Sequence, residues 1–192
     1  DLSPTFLLKE AYNNKYDYYK TGRIDVCKLD IETDVVNGAK DEIIMCSLTL
    51  NKKHVSIVRR DFLFKNSLKG DQEFFEILDK DIPQVRGEWG YQVELKIVET
   101  EMDVIRETFK ILHEWKPDVV AGWNVMMFDQ MVIAKRIEEN GEDPALYFSD
   151  PSIPDRYKGY KFREGKKFAI SDSGKKTNLK PIDRWHEVIA PA

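Results

Sequence analysis

Three carboxylates stand where a folded chain could bring them together. Asp30 and Glu32 are two residues apart at the end of a strand-like run, so their side chains should point to one face of that strand. The flanking Leu29 and Ile31 should point to the other face. Asp129 follows a turn that leads from a second strand into a helix, and such turns expose their side chains at the carboxyl edge of a sheet. We therefore expect all three carboxylates to meet at one edge.

Such a cluster of acids has a specific chemical use. Burying carboxylates together is costly unless cations neutralise them. Hard oxygen ligands suit Mg²⁺ or Mn²⁺, whereas zinc would want His or Cys. When two ions are bound, one lowers the pKa of an attacking water and the other stabilises the leaving oxygen. The pattern therefore indicates two-metal hydrolysis of a phosphodiester.

The rest of the sequence indicates the elements that must position these acids. Apolar residues predict an antiparallel meander of three strands over 23–31, 43–50 and 55–58. The elements predicted after it are a helix over 71–80, a linker with some strand character over 88–98, an amphipathic helix with Met102, Ile105, Phe109 and Leu112 on one face that ends before Pro117, a short buried strand over 118–121 and a helix over 126–139. This order predicts an α/β fold, a ribonuclease-H-like mixed sheet with flanking helices.

Composition excludes several classes of protein. The 192 residues are 42% hydrophobic, which suits one domain with a real core. No apolar run approaches the roughly 20 residues that cross a bilayer, and the first residues lack the layout of a secretion signal. We expect a cytoplasmic protein with no membrane partner. Cys27 and Cys46 form no metal-binding pair and are interpreted as buried thiols on strands.

The chain divides into an N-terminal arm over 1–22, a core over 23–141 and an incomplete basic extension over 142–192, in which a hairpin is predicted over 160–170. The net charge is -4, yet residues 156–184 hold ten Lys and Arg against three acids, a local balance of +7. Interleaved lysines and aromatic residues can hold the phosphates and bases of a single strand, with a solvated loop as the alternative. The lysines assigned to substrate binding are Lys166, Lys167, Lys175 and Lys176.

The motifs resemble those of a known family. Asp30-Ile31-Glu32 is similar to the first motif of the proofreading 3′-to-5′ exonuclease domain of family B DNA polymerases, especially those of bacteriophage type. The stretch from Glu99 through the predicted helix to Asn124, followed by Phe128-Asp129, resembles the region that ends in the second motif. The likeness covers about residues 23 to 140.

The resemblance implies a role for each matching residue. Asp30 would bridge two divalent metal ions, Glu32 would bind one of them near the terminal nucleotide, and Asp129 would hold the second. Asn124 and Phe128 match the motif as supporting residues for substrate, with helix capping by Asn124 and core packing by Phe128 as alternatives. The implied partners are single-stranded DNA or a primer 3′ end and the rest of the polymerase. If the gene is a phage gene, the implied location is the host cytoplasm.

One motif of the family is absent. The third, a Tyr followed four residues later by Asp, occurs nowhere in the 192 residues. The resemblance implies that this motif supplies a fourth carboxylate and orients the attacking water, so we expect the isolated chain to hydrolyse DNA poorly. Truncation or a split gene would explain the absence. The alternative is a non-catalytic DNA-binding or subunit-docking fragment of a split polymerase.

Overall fold

A mixed five-stranded sheet forms the centre of the fold. A computed structural model describes residues 24–34, 41–65, 70–126, 128–164, 168–170, 172–174, 176–178 and 184–189. The strands of the sheet are β1 (Val26–Thr33), β2 (Ile43–Leu50), β3 (Lys53–Arg59), β4 (Gln92–Val98) and β5 (Val119–Ala121). They lie in the order β4-β3-β2-β1-β5. Strand β2 is antiparallel to both β1 and β3, whereas β4 is parallel to β3 and β5 is parallel to β1. The α/β fold and the antiparallel meander are therefore confirmed.

Strand β1 shows why the sheet has one buried face. Cys27, Leu29 and Ile31 are buried, while the residues between them are exposed. This alternation is the period of two that an extended chain imposes on its side chains. It places Asp30 and Glu32 together on the exposed face, as the sequence predicts.

The described helices are α1 (Arg60–Lys65), α2 (Asp71–Asp81), α3 (Glu101–Trp115), α4 (Asp129–Glu139) and α5 (Pro144–Phe148). Helix α3 packs on β2 and β3, and its apolar residues join the buried residues of β1, β2 and α4 in one core. None of the helices in the described ranges is long and apolar enough to cross a membrane.

Helix α3 has well-defined ends. The Thr100 hydroxyl accepts a hydrogen bond from the Asp103 N–H at 3.2 Å, and the Asp103 carboxylate accepts one from the Thr100 N–H at 3.1 Å. This reciprocal pair satisfies two N–H groups that a helix start leaves without partners. At the other end Lys116 adopts a left-handed conformation with φ 46°, and Pro117 follows. The helix thus ends before the proline, as predicted.

A buried ion pair connects α3, α4 and β2. The Arg136 guanidinium donates to both carboxylate oxygens of Glu101, with Nε–Oε1 at 2.7 Å and Nη2–Oε2 at 2.6 Å. Glu101 Oε1 also accepts the backbone N–H of Ile43 at 2.8 Å. Because one carboxylate bonds groups from two other elements, it fixes α4 against the start of α3 and the start of β2.

Some predicted elements differ from the structure. The predicted linker over 88–98 contains β4, which pairs with β3 along its whole length. The predicted strand over 118–121 is not buried, because β5 has no neighbour beyond β1 in the described sheet and leaves Val119 and Val120 exposed. Helix α4 begins at Asp129 and not at residue 126, since a turn over 123–126 precedes it.

The predicted hairpin over 160–170 is wrong. Its two strands exist as β6 (Gly159–Glu164) and β7 (Phe168–Ile170), but each pairs with a later strand. Strand β6 pairs with β9 (Arg184–Ile189), and β7 pairs with β8 (Lys176–Asn178), both antiparallel. The two-stranded ribbon of β6 and β9 therefore joins residues about 25 positions apart in the sequence, which a local turn signal does not reveal.

Candidate active site

The first two acids lie side by side along an exposed strand face. Asp30 faces Ser47 of β2 across the sheet, and Glu32 faces Met45. Both acids are exposed, and the register of β1 against β2 shifts immediately after Glu32. An irregularity at this point ends the regular pairing of the strand and leaves its last residues accessible.

The turn after β5 brings the second motif against β1. The parallel pairing of β1 and β5 ends with Lys28 opposite Ala121. A Cβ added to the next residue, Gly122, would lie 2.3 Å from the carbonyl oxygen of Leu29. Only glycine permits this approach, so the chain leaves β5 while still touching the strand that carries Asp30.

Asp129 is the first residue of α4, and its side chain reaches β1. Asp129 is only 2% exposed, and its Oδ1 accepts a hydrogen bond from the backbone N–H of Ile31 at 3.0 Å. Ile31 stands between Asp30 and Glu32 in the strand. The carboxylate of Asp129 therefore lies at the edge of β1 just beyond the end of β5. There it contacts the peptide group that joins Asp30 to Ile31.

The electrostatics of Asp129 follow from this position. Burial raises the pKa of Asp129 above its ordinary value, and the nearby negative charge of Asp30 adds to the rise. The hydrogen bond from the Ile31 N–H opposes the change because it favours the charged form. A buried carboxylate close to a second one is a site that gains from a neighbouring cation.

A comparison with protein families agrees with this geometry. Residues 7–175 match the family model described as DNA polymerase family B, exonuclease domain. The chain belongs to this family. It is thus an exonuclease domain of the family B polymerase type, and the fold and the family expected from the motifs are confirmed. No individual curated protein matches the chain.

The exonuclease domain brings together some of its predicted metal ligands. The charge of Asp30 acts on Asp129, and Glu32 lies on the same exposed face as Asp30. Across the ranges that the structure describes, no group of three or more His, Cys, Asp and Glu side chains is arranged to hold a metal ion. The carboxylate oxygens of Asp30, Glu32 and Asp129 are the kind of ligand that a hard divalent cation takes.

Asn124 and Phe128 do not take the structural roles offered as alternatives. Asn124 has a left-handed backbone with φ 58°, and the residue at the N-cap of α4 is Phe128, which makes no side-chain cap. The Asn124 carbonyl accepts the Phe128 N–H at 3.0 Å, which closes the turn. Phe128 is 43% exposed and so does not fill the core. Both side chains lie on the loop that leads to Asp129.

The structure describes little of the basic segment that is predicted to bind substrate. Lys166, Lys167 and Lys175 lie outside the described residues, and Lys176 is described only as part of the backbone of β8. A residue to which the sequence assigned no role, His186 of β9, contacts the loop before Asp129. A lone histidine belongs to no recognisable spacing, so no sequence signal would have found it.

Proposed function

We propose that this domain removes mismatched nucleotides from the 3′ end of DNA for a DNA-directed DNA polymerase. It would hydrolyse the terminal phosphodiester with Mg²⁺ or Mn²⁺ and release deoxynucleoside monophosphates. Membership of the exonuclease family supports the reaction class. The observation that carries the assignment of the site is the hydrogen bond from the Ile31 N–H to Asp129, since it joins the second motif to the strand of the first.

In this proposal the acids divide the work of holding two cations. Asp30 would bridge both ions, Glu32 would bind one and Asp129 the other. When bound, such ions activate a water molecule and stabilise the leaving oxygen. The contribution of the protein is to fix the ligands beforehand. Asp129 is held by the backbone of β1, and Asp30 and Glu32 are held by the pairing of β1 with β2.

The substrate would approach over the exposed face of β1. Phe128 offers an exposed ring on which a base can stack, and Asn124 offers an amide that can hydrogen-bond to a sugar or base. The basic extension, with Lys166, Lys167, Lys175 and Lys176, would hold the phosphates of the single strand. The palm, fingers and thumb of the polymerase would be the protein partner.

The first test removes the exposed pair. Replacing both Asp30 and Glu32 by alanine in the full-length protein should lower Mg²⁺-dependent degradation of single-stranded DNA by several powers of ten, because metal ions supply several kcal/mol of transition-state stabilisation. Primer extension should continue. The matched control replaces Glu76 and Asp81, exposed acids of α2, by alanine and should degrade DNA at the normal rate. Persistent degradation by the first variant would overturn the site.

A second measurement distinguishes an enzyme from a scaffold. Titration calorimetry with Mn²⁺ should show binding to the unaltered protein and weaker binding to the variant that lacks both Asp30 and Glu32. A protein that binds single-stranded DNA but no Mn²⁺ at millimolar concentration would be a DNA-binding or docking module without nuclease activity.

A further inference from the structure

His186 connects the ribbon of β6 and β9 to the loop that precedes Asp129. Its Nε2 lies 2.8 Å from the carbonyl oxygen of Met126, and its Nδ1 lies 2.5 Å from the hydroxyl of Tyr160 in β6. Met126 is three residues before Asp129 and 60 residues before His186. The half-buried imidazole is therefore a long-range link between the ribbon and the second motif.

The carbonyl that His186 contacts lies in the turn just before the start of α4. Gln130 is the second residue of α4, so its N–H is one of those that a helix start leaves without a partner inside the helix. Instead it donates to the carbonyl of Val125, five residues earlier, at 2.8 Å. The chain is thus wider than a regular turn at this point, and His186 supplies a donor to the Met126 carbonyl.

The partners of the imidazole determine its hydrogens. A carbonyl oxygen only accepts, so Nε2 of His186 carries a hydrogen and donates it to Met126. In the neutral ring Nδ1 then accepts from the hydroxyl of Tyr160. Burial raises the pKa of Tyr160, which keeps the phenol protonated and able to donate. Tyr160 therefore sets the orientation of the ring as well as contacting it.

The ribbon is itself fixed to the core. The ring of Tyr160 stacks on Phe148 of α5 at 4.8 Å, and Phe148 meets Phe109 of α3 edge to face at 4.7 Å. The Ser149 hydroxyl donates to the carbonyl of Ile189 in β9 at 2.9 Å. These contacts hold the ribbon, and with it the imidazole of His186, against α5 and the core.

We propose that His186 is a positioning residue of the exonuclease site, which holds the Met126 carbonyl so that the loop enters α4 with Asp129 directed at β1. This inference rests on the proposed function and adds a residue to it. His186 touches neither substrate nor metal in this role. It acts through the backbone of the loop, which also carries Asn124 and Phe128.

The test compares three substitutions in the full-length protein. His186→Ala removes the donor and should lower kcat for single-stranded DNA by roughly tenfold to a hundredfold, with KM within about twofold, because a small displacement of a ligand mainly affects the transition state. His186→Gln restores an N–H at a similar reach and should recover most of the rate. Tyr160→Phe keeps the ring stack and should give an intermediate rate. Glu187→Ala, which breaks a surface pair with Arg163, is the matched control and should match the unaltered protein.

Hydrogen exchange provides a readout that does not depend on catalysis. Amides of residues 122–130 should exchange faster in His186→Ala than in the unaltered protein, and His186→Gln should restore their protection. The positioning role would be overturned if the alanine variant, like the glutamine variant, showed the same amide exchange and the same hydrolysis rate as the unaltered protein. An unaltered protein with neither hydrolysis nor Mn²⁺ binding would instead overturn the proposed function, while the exchange comparison would still decide the role of His186. If His186→Ala does not fold, His186→Gln and Tyr160→Phe decide it against the Glu187→Ala control.

Discussion

The ion pair between Glu101 and Arg136 should be the most sensitive polar contact in the described core. Replacing Arg136 by Met keeps much of the apolar stem but removes both hydrogen bonds to Glu101, at 2.6 and 2.7 Å. The side chains are 9% and 11% exposed, so solvent screens their interaction little. The remaining carboxylate keeps the Ile43 N–H as a donor. Leaving a buried charge without its ion partner costs about 3–5 kcal/mol, which is the expected loss.

The opposite substitution should cost less. Glu101→Gln keeps an oxygen for the Ile43 N–H, and Arg136 keeps Glu139 at 2.5 Å. The lost charge-assisted hydrogen bonds suggest about 1.5–3 kcal/mol. The two substitutions combined should cost less than the sum of the single losses, because they share one interaction.

Urea unfolding followed by circular dichroism measures these differences. The midpoint for Arg136→Met should fall by more than about 1 M relative to the unaltered protein. Arg106→Met is the control, since Arg106 is 50% exposed and pairs with Asp103 and Glu142 at the surface, where a pair contributes about 1 kcal/mol or less. Equal losses for the two arginine variants would refute the argument from burial.

Three further results follow from the structure. Asp129→Asn should stabilise the metal-free protein at pH 8 but not at pH 4. Burial raises the pKa of Asp129, so the stability that its protonated form supplies below the unfolded pKa is lost as pH rises through the folded pKa. Urea titrations in the presence of a chelator at both pH values measure this difference. Gly122→Ala should cost about 1–3 kcal/mol in the same assay, since its Cβ would lie 2.3 Å from the Leu29 oxygen. Burial raises the pKa of Cys27 to about 11 and the pKa of Cys46 to about 12. A thiolate-specific reagent at pH 8 should therefore label neither cysteine until urea unfolds the chain. Rapid labelling of the folded protein would contradict the burial of these thiols.

The sequence was most informative where structure is local. Alternation in β1 placed Asp30 and Glu32 on one face, and the apolar period of α3 with Pro117 after it located that helix and its end. These features depend on neighbours within a few residues, which the sequence displays directly. The family could be expected because two such local motifs occur at a fitting separation.

Long-range pairing could not be predicted in the same way. Strand β4 looked like a linker because its partner β3 lies parallel to it across two helices. The glycine-containing turn near residue 165 suggested that β6 pairs with β7, whereas β6 pairs with β9. The bond from Ile31 to Asp129 spans 98 residues and exists only because β5 ends early. Such contacts depend on which surfaces meet after folding, and no short pattern encodes them.

Asp129 combines a proposed metal-binding role with a hydrogen bond to the backbone of β1, and this combination bears on how a polymerase without proofreading should be engineered. Its carboxylate also accepts a hydrogen bond from a strand edge, so a change to alanine there would remove a proposed metal ligand and leave the Ile31 amide unsatisfied in a buried place. Asp30 and Glu32 point away from the core and carry no such duty in the sheet. A variant intended for error-prone copying, with its thermal stability intact, is therefore better made by alanine at the exposed pair than by alanine at Asp129.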